Sequence, residues 1–470
     1  MLSKLKQGNT ICDPTAGDGK FIHALVQQYV DAEGSISISM LKKLYLIEKE
    51  SYFLNQFRES FFDSFGINFP ESNIFNTDII QNNPDLQFDC IVGNPPWANF
   101  TDLEDSLKEE LKPFFVSIGL VKNLKNVLLG GSRIDIAALI LYTVFAKNTK
   151  SGSKCGFFLP ISLFLNDGAS DSFRNYRVGN TDFSLDKIHD FGDLEVFKGV
   201  GTRFCFATFT ISQKSKYPID YYIQSNNVWI KQFAAPIGST NSPLIIKPDN
   251  LASSFYIKKI DLDFWQQPRQ GINTCGANDV FIVEKYPEYI NPDFVYPLVT
   301  TKLLQGKVST PEKFIILPYH KNGKPLSLNE LKNANLFEYF LLHQDRLKNR
   351  KGVLINSVIK KGFWWALIGI GPYSFSPIKI IWASFGSKNF SPKILSTWQK
   401  QEWQANQAMQ AFIPANNFHD AERIRDDFYS LGIENHLKDQ KMEGTMNWAQ
   451  PGRIKRFLNI KQTKQELLFA

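Results

Sequence analysis

The chain has 470 residues, 43% apolar and 21% charged, enough for two or three domains with sizeable cores and unlike a disordered or low-complexity sequence. Five cysteines (Cys12, Cys90, Cys155, Cys205, Cys275) are scattered without a CxxC pair, which argues against a zinc ribbon or disulfide framework and suits a reducing, cytoplasmic setting. The formal charge of +7 is uneven: residues 1–220 carry 22 Lys+Arg against 26 Asp+Glu, and residues 221–470 carry 31 against 20. No apolar run is long enough to span a bilayer, so no membrane partner is expected, whereas a near-neutral first half and a basic second half suit an enzyme core joined to a polyanion-binding module.

In chain order, residues 10–12 read as a strand entering a glycine-containing turn, and 20–30 as a helix. A second strand covers 43–47 and ends at Glu48, and a third covers 73–75 and is followed by Thr77-Asp78. A fourth covers 88–92 and stops at Asn94-Pro95-Pro96-Trp97, because prolines cannot donate to a ladder. Apolar spacing over 134–147 predicts a helix, 156–159 a strand halted by Pro160, and 186–191 and 204–211 the last strands of the domain. This β-turn-α rhythm predicts an α/β, Rossmann-like doubly wound mixed sheet with its site at the carboxyl ends of the strands. Ser, Asn and Pro punctuate 213–260, where the junction is placed, giving a catalytic domain over 1–220 and an aromatic-rich, basic domain over 221–470.

The turn Asp13-Pro14-Thr15-Ala16-Gly17-Asp18-Gly19-Lys20-Phe21 is neither a Walker loop nor a three-glycine dinucleotide fingerprint. It is a glycine turn feeding a helix N-terminus, where a carboxylate is favoured. Glu48 can accept both hydroxyls of a ribose, or is simply a charge before a helix. Asp78 can accept from an adenine amine, or cap the next segment. All three lie at successive strand ends, which points to an adenosine-containing cofactor. In the arch, the Asn94 amide oxygen and the Pro95 carbonyl offer two acceptors at fixed geometry. They match the two protons of an exocyclic amine whose lone pair must attack. Pro96 stiffens the loop and Trp97 offers a face on which a base can stack.

With these motifs in this order, the sequence resembles class I S-adenosylmethionine-dependent DNA methyltransferases acting on adenine N6, in the group whose target recognition domain follows the catalytic domain. Arg133-Ile134-Asp135-Ile136-Ala137-Ala138-Leu139 is similar to the family's next helix, with Asp135 near the methionine side, and Gly156-Phe157-Phe158-Leu159-Pro160 to its next strand. Phe191-Gly192-Asp193-Leu194-Glu195-Val196-Phe197 resembles the segment that lends a second aromatic, Phe197, to the flipped base; core packing is the plainer alternative. The resemblance implies S-adenosyl-L-methionine held by Asp13, Pro14, Thr15, Ala16, Gly17, Gly19, Phe21, Glu48, Asp78, Ile79 and Asn94. It implies catalysis at Asn94, Pro95, Pro96, Trp97 and Phe197, with no metal.

The stretch from Gly271 to Phe281, Lys313-Phe314-Ile315-Ile316-Leu317-Pro318-Tyr319, Leu347-Lys348-Asn349-Arg350 and Trp364-Trp365 resemble a TaqI-like specificity domain, implying an α+β fold that binds double-stranded DNA. Such enzymes belong to restriction–modification and related defence systems. Only about ten residues precede the first strand, where the family carries a segment enclosing the methionine moiety. That segment is expected to be missing, which leaves three alternatives: the chain is a fragment, another polypeptide completes the site, or cofactor binding is weakened. No nuclease constellation is found, since Pro248-Asp249 lacks a downstream Glu-x-Lys in strand context, and a nuclease is expected, if at all, from a separate subunit. Two other functions stay open: methylation of RNA or of a protein glutamine amide, and a non-catalytic DNA-recognition subunit.

Overall fold

The computed structural model describes residues 1–121, 134–166, 170–192, 194, 202–251, 255, 257–286, 290–386, 389–439 and 448–461. They divide into two compact units, Met1–Tyr256 and Ile257–Ala470.

In the first unit, α1 (Leu2–Lys6) leads to β1 (Ile11–Asp13), a strand with every residue buried, and then to α2 (Lys20–Glu33). There follow β2 (Leu44–Glu48), α3 (Ser51–Phe65), β3 (Ile74–Asn76) and β4 (Phe88–Gly93). Next come α4 (Asp105–Ser117), α5 (Ile136–Lys147) and β5 (Thr149–Pro160). The remaining strands are β6 (Thr181–Asp190), β7 (Phe204–Ile211), β8 (Ile219–Ser225), β9 (Val228–Pro236) and β10 (Leu244–Lys247). They join in the order β10-β9-β8-β6-β7-β5-β4-β1-β2-β3. Strands β1 to β5 are parallel, and β7 lies antiparallel between β5 and β6.

Two helix layers hold this sheet. Ile22, Leu25 and Val26 of α2 and Phe57 and Phe61 of α3 pack with Ile11, Leu44 and Leu46 in one apolar cluster. Helix α5 has every residue from Ile136 to Phe145 buried, the pattern of a helix surrounded by protein, and it packs on β5. The chain reverses direction around β1, which has β2 on one side and β4 on the other, so a crevice opens above their carboxyl ends.

The boundary differs from the expected 1–220 and 221–470. Strand β8 pairs in parallel with β6, from Lys187 with Asp220 to Asp190 with Ile223, and β9 and β10 continue the same sheet. These hydrogen bonds bind residues 219–247 to the catalytic sheet, so the division falls at Tyr256/Ile257.

The second unit is α+β. Strands β11 (Ile260–Asp263), β12 (Arg269–Gln270), β13 (Ile282–Val283), β14 (Val295–Pro297), β15 (Phe314–Ile316), β16 (Ile378–Ala383), β17 (Lys393–Leu395), β18 (Gln410–Ala415) and β19 (Leu458–Lys461) form three small sheets. Their orders are β12-β18-β16-β17, β13-β15-β14 and β11-β19. Helix α6 (Phe418–Ser430) covers the first of them.

Candidate active site

The turn after β1 is tied to the end of β2. Ala16 N donates to Ile47 O at 3.0 Å, and Gly17 N donates to Glu48 Oε2 at 2.7 Å. Glu48 Oε1 accepts from Glu50 N at 2.9 Å, so this carboxylate braces the loop and keeps lone pairs toward the crevice. Gly19 meets a packing need of the core, since a Cβ there would lie 2.1 Å from the Phe57 ring. Phe21 stacks on Phe158 with ring centroids 5.9 Å apart.

Beneath the turn, Asp13 is fully buried. Its Oδ1 accepts from Thr15 N at 3.2 Å, while its Oδ2 has no hydrogen-bond partner among the described residues. Burial first, and the neighbouring Glu48 charge in addition, push the carboxyl up to about 8. Thr15 Oγ1 is also buried without a partner among the described residues.

Above the strand ends lies a cleft of about 420 Å³. It collects Pro14, Thr15, Glu48, Asp78, Ile79, Asn94 and Pro96 from the expected set. Its apolar walls come from Ile80, from Leu107 and Leu111 of α4, and from Ile136 and Ile140 of α5. Those five were not foreseen, although Leu107 and Leu111 stand at helical i,i+4 spacing and so share a face. Asp78 has a structural duty too: Oδ1 accepts from Ile80 N at 2.8 Å and Gln81 N at 3.3 Å, and Oδ2 pairs with Lys49 Nζ at 3.3 Å.

The arch leaves β4 at Gly93, where a Cβ would stand 3.1 Å from Asp13 Oδ1 and 3.3 Å from Pro14. Glycine therefore lets the two loops touch. Past the arch, Ile136 N donates to Ala98 O at 2.9 Å and Phe100 N to Ile134 O at 3.0 Å, fixing the exit to the start of α5. Asn94 Oδ1 is held buried with no hydrogen-bond partner among the described residues. Pro95 is buried below it. Asp135 caps α5 by accepting from Ala137 N at 2.8 Å, and burial raises its carboxyl to about 6.

Trp97 does not line the cleft. Half-buried, it donates from Nε1 to Phe158 O at 3.2 Å and lies against Phe204 with centroids 5.5 Å apart. Phe204 in turn stacks on Phe191 at 5.1 Å. Phe197 and Arg133 lie outside the described residues. Buried Asp190 accepts from Arg203 Nε at 3.1 Å, Arg203 Nη2 at 2.7 Å and Gly192 N at 2.9 Å, joining the two ends of the segment that contains Phe197.

In the second unit, several motif residues are scaffold. Arg350 is buried and donates to Leu347 O, Thr274 O and Trp364 O at 3.0, 3.2 and 2.8 Å, binding three of the expected segments together. Trp364 and Trp365 are core side chains, and Trp365 Nε1 donates to Leu326 O at 3.1 Å.

The strand order 3-2-1-4-5-7-6 with β7 reversed, an acidic residue closing β2 and a crevice over the carboxyl ends define a class I S-adenosylmethionine-dependent methyltransferase fold. S-adenosylmethionine is its cofactor, and the residues present fit it: a partly apolar cleft of suitable volume, Glu48 at its rim, and unpartnered polar atoms on Asp13, Thr15 and Asn94.

Residues 27–197 match the sequence profile of the family described as Eco57I restriction-modification methylase. The chain is 23% identical over 386 residues to the Type II methyltransferase M.BstVI of Geobacillus stearothermophilus, covering 72% of this chain and 66% of that one. Among solved structures it resembles the Type IIL restriction-modification enzyme MmeI, determined in complex with DNA. That likeness has a TM-score of 0.51 at 12% identity and covers 99% of this chain and 65% of the other. The chain thus spans about two thirds of the length of these relatives. Among the described residues no helix is long and apolar enough to cross a membrane.

Proposed function

We propose that this chain is a site-specific DNA methyltransferase of a restriction–modification or phage-defence system, acting on the N6 amine of an adenine flipped out of the duplex. The observation that carries the reading is Asn94 Oδ1, a buried acceptor without a partner among the described residues, on a rigid arch beside the cofactor cleft. An unpaired buried acceptor costs about 1–3 kcal/mol, which an incoming N–H donor recovers.

Bound S-adenosylmethionine supplies an electrophilic methyl group on a sulfonium. The protein's part is to hold and orient. Glu48 takes the ribose hydroxyls, Asp78 and Ile79 the cofactor adenine, and Asp13 and Thr15 the amino-acid end. Asn94 Oδ1 and the Pro95 carbonyl accept hydrogen bonds from the two N–H groups of the target amine and turn its lone pair toward the methyl group. Trp97, with Phe197 from the segment between Phe191 and Arg203, offers aromatic faces for the extruded base. The unit from Ile257 onward is the target recognition domain, a role supported by its basic composition. A partner subunit, such as a nuclease, belongs to this reading.

The test is transfer of labelled methyl from S-adenosylmethionine to duplex DNA, RNA and protein in competition, followed by nucleoside analysis. N6-methyladenine in the duplex is expected. Label in RNA or in glutamine would redirect the reading to those planar amines. Cofactor binding by calorimetry without transfer to any DNA, with or without partner subunits, would overturn it.

A further inference from the structure

The second unit holds a pair of cations, Arg269 and Lys455, for which no carboxylate partner lies among the described residues. Arg269 sits in β12, paired with Phe412 of β18, and its guanidinium lies 3.7 Å above the centre of the Tyr373 ring. Its Nε is buried with no hydrogen-bond partner among the described residues. Helix α7 (Pro451–Lys455) brings Lys455 to the same place, where Nζ donates to Gln267 Oε1 at 3.0 Å. The two cations share an open cleft of about 250 Å³ with the side chains of Gln267, Asn273, Tyr373 and Gln407, and no carboxylate is among its lining residues.

Two neighbouring positive charges are costly when partly buried. The Lys455 ammonium is lowered by burial and then by the neighbouring Arg269 charge, and the Arg269 guanidinium is lowered by burial. An anion placed between them reverses that cost and supplies the acceptor that Nε lacks. The cleft is smaller than the roughly 300–1,000 Å³ that encloses a small molecule, and the amides of Gln267, Gln270, Asn273 and Gln407 line it beside the two cations. Those features suit one charged group on an extended polymer.

The geometry points to Arg269 and Lys455 as a seat for a backbone phosphate of duplex DNA, held by the Arg269 Nε edge and the Lys455 ammonium with Gln267 and Gln407 beside them. This rests on the proposed DNA-directed role. A seat of this kind positions the duplex without reading its sequence.

The experiment is anisotropy of a labelled duplex with the full chain, over a salt series, for wild type, Lys455→Gln and Arg269→Gln. Each phosphate contact contributes about 0.9 to the slope of log K against log salt, so each variant should flatten the slope by roughly one unit. Affinity should fall alike for every duplex sequence. Lys455 is exposed, so its variant keeps the test valid if loss of the Arg269–Tyr373 stack perturbs folding. Wild type that binds DNA while Lys455→Gln keeps the full slope would overturn this inference alone. Wild type that binds no duplex would overturn the DNA-directed role together with it.

Discussion

Replacing Gly19 by alanine tests whether the turn after β1 is shaped by the core or by its ligand. Gly17 and Gly19 both have left-handed backbone, φ +55° and +72°. A side chain in that region costs about 1–2 kcal/mol, offset by roughly 0.4–1 kcal/mol from the stiffer unfolded chain. At Gly17 a Cβ meets nothing within 4 Å, so Gly17→Ala should cost about 1 kcal/mol or less. At Gly19 it would lie 2.1, 2.7 and 2.9 Å from three atoms of the Phe57 ring. Phe57 has no exposed surface and is itself wedged against Phe61 and Phe69 at 5.4 and 5.2 Å, so the ring has nowhere to retreat. Overpacking of this kind adds roughly 1–3 kcal/mol, placing Gly19→Ala at about 2–4 kcal/mol. Urea denaturation of both variants gives the comparison, and Phe57→Leu combined with Gly19→Ala should recover about 1 kcal/mol through coupling of touching sites. If Gly19→Ala is no more destabilising than Gly17→Ala, the core does not set this turn and the reasoning fails.

Asp13 predicts a pH dependence of the cofactor-free protein. Its folded carboxyl keeps a proton to about 8, whereas the unfolded chain releases it near 3.8, so stability is fullest below the lower value and declines as pH rises through the higher one. Urea midpoints should therefore fall between about pH 5 and pH 9 in wild type and flatten in Asp13→Asn. Asn94→Ala should cut methyl transfer by about 10²–10³-fold while changing the calorimetric cofactor affinity much less, since the amide acts mainly on the reacting amine; equal losses in both would count against that. Glu48→Gln loses charged hydrogen bonds worth about 1.5–3 kcal/mol and should weaken cofactor binding roughly 10–100-fold in the same titration. Arg203→Met leaves the buried Asp190 carboxylate without its bidentate partner and should lower stability by about 3–5 kcal/mol, against a change below about 1 kcal/mol if the pair were a surface contact.

The strands that carry the site were legible because each is a short apolar run cut off by a polar or glycine residue. Expected strands at 10–12, 43–47, 73–75 and 88–92 correspond to Ile11–Asp13, Leu44–Glu48, Ile74–Asn76 and Phe88–Gly93. Residues 221–247 fell in the expected second domain because Ser, Asn and Pro punctuate 213–260 and read as linker, although the hydrogen bonds between β8 and β9 make this stretch sheet. Side-chain direction was the harder quantity. Trp97 and Phe21, expected at the base and at the cofactor, also pack against the aromatic layer around Phe158. A residue type states what a side chain can do, and only packing decides which side of a loop it occupies. The walls from α4 were missed for a related reason: Leu107 and Leu111 belong to a helix whose apolar face looks like ordinary core until the cleft above it is visible.

For Glu48, Asp78 and Asp135, the structural and functional readings of a carboxylate turn out not to compete. Each braces its own loop through backbone N–H groups, and that bracing makes the cleft a formed object before any ligand arrives. A different set of atoms is left over: Asp13 Oδ2, Thr15 Oγ1 and Asn94 Oδ1 are buried without partners among the described residues, at the ends of adjacent strands β1 and β4. At about 1–3 kcal/mol for each unmet group, the empty site holds a polar deficit that the core around it must outweigh. A ligand that satisfies those atoms gains that deficit as binding energy without reshaping the loops. Cofactor at 100 times the wild-type dissociation constant should raise wild-type stability by about 2.7 kcal/mol, and Asp13→Asn, by weakening cofactor binding, should show a smaller gap between empty and occupied protein at the same cofactor concentration.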